Sequence, residues 1–173
     1  MSITKKIVLY KKMKNLVYNI TFGGVGGQGI LKASEICSWA AMYDGFHVKK
    51  SEVHGMAQRG GSVESHVRFG KQVYSPLIVV GGADYLVCFH VEEHDRLKAF
   101  LKPGGKDLIG YLDKARAVIE NPRHLNTLLV GVLSASLPVS TGSWLKAIET
   151  VFKKKIVEEN KGVFLKGREM GQK

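Results

Sequence analysis

A strand, a glycine-rich turn, a helix and a second strand follow one another near the start of this sequence, and that order constrains the fold more than any other feature. Val17–Phe22 reads as a strand, and the next seven residues, Gly23–Gly29, include five glycines. Ile30, Ala33, Cys37 and Ala40/Ala41 then recur at helical spacing as far as Asp44. Gly45 stands where a left-handed residue ends a helix, and Phe46–Lys50 reads as a second short strand. Such a βαβ unit predicts an α/β domain in which the two strands form a parallel pair.

A polar loop, Ser51–Gly61, follows. In Ser62–Phe69, Val63, Ser65, Val67 and Phe69 share one face while Ser62, Glu64, His66 and Arg68 share the other. That alternation predicts a half-buried strand. Tyr85–Phe89 is a more continuously apolar strand, Val91–Leu101 a helix ended by Pro103-Gly104-Gly105, and Leu108–Tyr111 a candidate further strand. Asn126–Leu137 is apolar nearly all round, as a buried helix stopped by Pro138 would be. Trp144, Leu145, Ile148, Val151 and Phe152 form an amphipathic stripe that Ser140 or Thr141 could cap.

The net charge of +11 invites comparison with nucleic-acid binders, so its distribution matters. Residues 1–14 hold five Lys and no acid, and residues 153–173 hold seven basic and three acidic residues; the two ends carry +9 of the total. A basic groove needs its charge on the folded body, so the ends read as solvated tails and no nucleic acid is expected as a partner. No apolar run is long enough to span a membrane. The patch Ile7–Tyr10 is too short for a signal peptide, and a cytoplasmic protein is expected. Cys37 and Cys88 each sit in an apolar segment and read as buried reduced thiols. Two separated cysteines cannot hold a four-cysteine iron–sulfur cluster.

Three motifs bear on chemistry. Gly24, Gly26 and Gly29 match G-x-G-x-x-G between a strand and a helix, with Gly27 and Gln28 between them. Such a turn lets backbone N–H groups approach an anion at a helix N-terminus, or serves tight packing alone. A dinucleotide site also needs an acid at the end of the second strand. Here that place holds Lys49, Lys50 and Ser51, with Glu52 displaced into the loop, which disfavours NAD and leaves a phosphate-bearing ligand open. The stretch Glu52–Val63 concentrates Glu52, His54, Gln58 and Arg59 with Gly55, Gly60 and Gly61; it is a candidate ligand- or partner-facing loop, or an ordinary surface loop. His90-Val91-Glu92-Glu93-His94 matches the zinc-protease pattern H-x-x-E-H, but His90 sits at a strand–helix junction and a third ligand is wanting, so chance is the better reading.

Taken together, Gly23–Gly29 and the run Lys49–Val63, with its His-Gly-Met-Ala-Gln-Arg-Gly-Gly core, resemble the γ domain of 2-oxoacid:ferredoxin oxidoreductases, and within that family the small subunit of the indolepyruvate enzyme. Leu101–Gly105, Asn121–Arg123 and Leu133–Ser140 extend the resemblance over roughly residues 15–170. It implies a Rossmann-like three-layer α/β fold, with a mixed, mostly parallel sheet and C-terminal helices. It implies one domain over residues 15–173 preceded by a basic extension, residues 1–14. It also implies that this chain binds no cofactor and has no catalytic residue of its own. Thiamine diphosphate and iron–sulfur clusters are expected in a larger partner subunit, ferredoxin as the electron acceptor, and coenzyme A as a co-substrate that this chain helps enclose. Only about twenty residues separate Lys106 from Asn126, fewer than the family pattern carries, so a sheet strand is expected to be missing or shortened there. The competing reading is a free-standing NADP- or coenzyme-A-binding Rossmann-like protein. The glycine turn and the Glu52–Val63 loop are expected side by side at the carboxyl edge of the sheet in either case.

Overall fold

A computed structural model describes residues 16–55 and 60–173, with the side chain of His54 left out. Five strands form one mixed sheet: β1 (Tyr18–Val25), β2 (His47–His54), β3 (Ser62–Gly70), β4 (Ala83–Cys88) and β5 (Leu101–Asp107), in the order β2-β3-β1-β4-β5. Four strands share a direction and β3 opposes them. The expected parallel partnership of the first two strands does not form. Both run the same way, but β3 returns antiparallel between them.

Helices cover both faces. On one, α1 (Ile30–Tyr43), α4 (Leu125–Ser134), α5 (Thr141–Val151) and α6 (Val157–Gln172) enclose the main core. There Ile20, Phe22, Val67 and Phe69 of the sheet meet Ile36 and Ala40 of α1, with Trp144 and Phe164 behind them. On the other face, Leu97 of α2 (Val91–Leu97) packs on Leu86 and Cys88. Gly23 is what admits it, since a Cβ there would lie 1.9 Å from Leu97 Cδ1. With both faces covered, β3 is not half-buried. Glu64 and His66, on the side expected to face solvent, are only 6% and 5% exposed.

Two further expectations change. The helix from Val91 stops at Leu97 and passes through a 3-10 turn, Lys98–Phe100; Pro103-Gly104-Gly105 then lies inside β5, and Ile109–Tyr111 is a 3-10 turn rather than a strand. β5 is an edge strand, where proline forfeits no ladder bond, and Gly104, at φ 74°, lets the chain bulge between the partners of Ala83 and Tyr85. Between Lys106 and Asn126 a short helix, α3 (Leu112–Val118), stands and no strand.

The basic C-terminal segment is not a tail. It forms α6, whose Val157, Asn160, Phe164 and Gly167 make a buried stripe while the lysines stay outside. Glycines bring α4 and α6 almost into backbone contact: a Cβ on Gly131 would lie 2.2 Å from Phe164 O, and one on Gly167 2.1 Å from Leu128 O. Ser140 caps α5, its side chain accepting a hydrogen bond from Ser143 N. The basic extension 1–14 lies outside the described residues.

Candidate functional site

The carboxyl ends of β1, β2 and β4 and the start of β3 meet at one edge of the sheet. β1 ends at Val25 and α1 begins at Ile30. Gly27 (φ 96°) and Gly29 (φ 79°) turn the chain between them through left-handed backbone. The side chain of Gln28 folds back into the turn: Oε1 accepts from Val25 N at 2.8 Å and Nε2 donates to Phe89 O at 3.2 Å. It thereby ties the turn to the end of β4. Asn126 of α4 closes over the other side, donating from Nδ2 to Gly29 O at 3.3 Å. Gly27 is the open position, where an added Cβ would meet nothing within 4 Å.

The second loop joins this turn. Gly26 N donates to Gly61 O at 2.9 Å, and Gly55 N to Ser62 O at 2.8 Å. The neighbours meet because antiparallel β3 starts where β1 ends, not because β1 and β2 pair. Gln58 and Arg59 lie outside the described residues. Lys49 and Lys50 are not brought to the turn. They sit in the middle of β2, opposite Arg68 and Val67, while the strand continues through Glu52 to His54. The ammonium of Lys50 pairs with Glu52.

Sequence reasoning missed two residues. A cleft of about 530 Å³ opens at the N-terminus of α1, floored by Gly27–Gly29, walled by Ile119, Pro122 and Leu125, and flanked by Arg116 and Arg123. Arg116 reaches Phe89 O at 3.5 Å and Asp113 at 3.6 Å, neither a tight commitment of its charge. Arg123 is exposed, and α1 carries no acid in its first turn. Two guanidinium groups and a helix N-terminus around a largely apolar cleft suit a ligand with an anionic group on an apolar body. Seven residues apart and separated by Pro122, these arginines have no shared spacing to reveal them.

A buried polar cluster backs the loop from the other face. Glu64 lies 2.7 Å from His66 Nε2 and accepts from Arg96 at 2.8 Å. Arg96 also pairs with Glu93, which accepts from Ser62 Oγ at 2.6 Å. His66 and, with it, the Arg96 guanidinium hold the Glu64 carboxyl below its ordinary range against the opposing effect of burial. His66 Nδ1 accepts from Ile78 N, so the network is structural glue between β3, α2 and the chain leaving β3. The H-x-x-E-H pair is divided: His90 precedes α2 in extended backbone, and His94 lies 2.6 Å from Asp107. Among the described residues no three His, Cys, Asp or Glu side chains could hold a metal together, and no helix is long and apolar enough to cross a membrane. Among the described residues the second strand does not bring an acid to the glycine turn as a dinucleotide site requires, because antiparallel β3 stands between β1 and β2 and the end of β2 lies a strand further away.

Comparison with known proteins agrees with this architecture. Residues 19–117 match the family "Pyruvate ferredoxin/flavodoxin oxidoreductase". The indolepyruvate oxidoreductase subunit IorB of Thermococcus kodakarensis is 49% identical over 88 residues, covering 51% of this chain and 44% of that protein; the match thus spans less than half of that relative's length. The pyruvate synthase subunit PorC of Methanothermobacter thermautotrophicus is 31% identical over 159 residues, covering 82% and 88% of the two chains. Among solved structures, the γ subunit of a keto/oxoacid ferredoxin oxidoreductase from Geobacter sulfurreducens superposes with a TM-score of 0.75 at 26% identity, over 90% of this chain and 97% of that one. A family match over more than half of the sequence and a relative aligned over most of both lengths lead to one conclusion: the chain belongs to the pyruvate ferredoxin/flavodoxin oxidoreductase family.

Proposed function

We propose that this chain is the small subunit of a 2-oxoacid:ferredoxin oxidoreductase acting on an aryl pyruvate of the indolepyruvate type. The observation that carries the reading is the 49% identity with IorB over 88 residues, beside the 31% with PorC over 159. Thiamine diphosphate and iron–sulfur clusters, held by a larger subunit, would supply decarboxylation and electron transfer to ferredoxin, with coenzyme A taking the acyl group. The present chain completes the assembly. Its glycine turn, Gly60–Gly61 and the arginine-flanked cleft form the face turned toward coenzyme A or an acidic patch of the large subunit. The backbone N–H groups at the start of α1 and the guanidinium groups of Arg116 and Arg123 bind and orient the anion there.

The test is reconstitution with the thiamine-diphosphate subunit, following indolepyruvate- and coenzyme-A-dependent reduction of ferredoxin. Turnover is expected only with both chains present. Arg116→Ala with Arg123→Ala should raise the apparent KM for coenzyme A by about 10-fold or more, the loss of charge-assisted hydrogen bonds. Full activity of the large subunit alone refutes the reading. An unchanged KM with weakened assembly moves the arginines to the subunit contact.

A further inference from the structure

Every residue of α4 is buried and most are apolar, yet its second and third residues are Asn126 and Thr127, 4% and 0% exposed. A buried amide must find its partners inside the protein. Asn126 finds them in two places. Its Oδ1 accepts from Thr127 N at 2.8 Å, and its Nδ2 donates to Gly29 O at 3.3 Å, in the turn that floors the cleft. A backbone N–H can only donate, so the Thr127 contact fixes which end of the amide is oxygen and leaves the –NH2 facing Gly29. Thr127 is held in its turn: its hydroxyl donates to Asn160 Oδ1 at 2.7 Å, and Asn160 Nδ2 donates to Ile156 O at 2.8 Å. A buried polar chain thus ties the glycine turn to the start of α6.

We propose that Asn126 is a positioning residue for the anionic group of coenzyme A at the start of α1. This rests on the subunit reading given above, and Asn126 acts through Gly29 rather than by touching the ligand. Gly29 is the N-cap of α1, held at φ 79°. No side chain caps this helix and no acid stands in its first turn, so its leading N–H groups are left for an outside anion. The carbonyl of Gly29 and the N–H of Ile30 belong to one planar trans peptide and point in opposite directions. The oxygen is held inward, between Asn126 Nδ2 and Ala33 N, which aims the Ile30 N–H out of the helix start. A side chain at position 29 would exclude this contact, since a Cβ there would lie 2.4 Å from Asn126 Nδ2. Residue 29 is therefore glycine for Asn126 as well as for its left-handed backbone.

The experiment reconstitutes the full chain with the thiamine-diphosphate subunit and measures kcat and the apparent KM for coenzyme A. Asn126→Leu removes the donor without adding charge, and should raise KM about 5-fold at unchanged kcat, the loss of one hydrogen bond that orients the anion site. Should Asn126→Leu fail to fold, Asn126→Asp keeps the acceptor for Thr127 N, lacks the donor, and carries the same expectation. Ser140→Ala, which strips the cap from α5, should lower the melting temperature and leave KM at the wild-type value. A wild-type KM in a folded Asn126 variant, or a fall in kcat alone, overturns the proposal while the subunit reading stands. An equal rise in KM in Ser140→Ala also overturns it, because lost stability then accounts for the effect. If the wild-type pair shows no coenzyme-A-dependent turnover, both fall.

Discussion

Gly167→Ala and Gly162→Ala are the same substitution five residues apart on α6, and they should act in opposite directions. At Gly162 a Cβ meets nothing within 4 Å. Alanine there gains only helix propensity, about 1 kcal/mol. At Gly167 the new carbon would lie 2.1 Å from Leu128 O and 2.9 Å from Leu128 C. Both are backbone atoms inside α4, and neither can swing aside. Ordinary contact begins near 3.4 Å, so α4 and α6 must part by about 1.3 Å. That opens the seam where Gly131 and Gly167 bring the two backbones together. Overpacking of this kind costs about 1–3 kcal/mol, and immovable backbone places it at the upper end. After the propensity gain, about 2 kcal/mol is lost. For a domain of this size that lowers the melting temperature by about 4–8 °C, while Gly162→Ala raises it by about 2–4 °C. Thermal and urea melts followed by circular dichroism measure both. A Gly167→Ala chain melting at or above wild type would refute the close-approach argument.

Glu64 gives a pH prediction. Its carboxyl is depressed below an ordinary value near 4.5, so its stabilisation is full above that value and is lost as pH falls through the lower folded one; melting temperature should therefore drop more steeply below about pH 4.5 in wild type than in Glu64→Gln. Burial pushes the Cys37 thiol far up and the Cys88 thiol up to about 11; a thiol reagent at pH 8 should leave both untouched in the folded chain and titrate both in denaturant. Gln28→Ala removes the strap between the turn and β4, and should lower stability by about 1–2 kcal/mol and speed amide exchange at Val25, which a steady exchange rate there would contradict. Arg59→Ala should leave the melt unchanged and weaken assembly or coenzyme A use in the reconstituted enzyme; normal assembly and turnover would remove Arg59 from the site.

Local signals were legible in the sequence, and placements were not. The helical spacing from Ile30 and the stop at Gly45 fixed α1 almost to the residue. The alternation of Ser62–Phe69 located β3, yet nothing in it says that the strand inserts between β1 and β2. Its polar face looked solvated because Glu64 and His66 are satisfied by Arg96 and the Ile78 N–H, partners that only the tertiary fold supplies. Pro103-Gly104-Gly105 reads as a stop wherever it occurs, and only an edge position tolerates it inside a strand. In the last helix the lysines dominated the composition and hid a buried stripe of Val157, Asn160, Phe164 and Gly167. At the candidate site the glycines and their neighbour loop were readable from sequence, whereas Arg116 and Arg123 reach the cleft through α3 and the turn after it, whose path no motif records.

The seat that β3 fills has a consequence for the newly made chain. β1 and β2 run alike with a gap between them that only residues 62–70 can close. A ribosome must therefore release both before either has its neighbour, and each then offers a row of unpaired amides to any other chain. Even in the finished molecule β2 remains at the border of the sheet. Lys49 and Lys50, which contribute nothing visible to the glycine turn, sit in the middle of that border strand. The Lys49 ammonium there, beside the Lys50–Glu52 ion pair, makes the edge a charged and poor template for sheet-to-sheet growth between copies. The role of these charged side chains is then colloidal: they keep an exposed edge from recruiting the same edge of another molecule while the chain waits for β3.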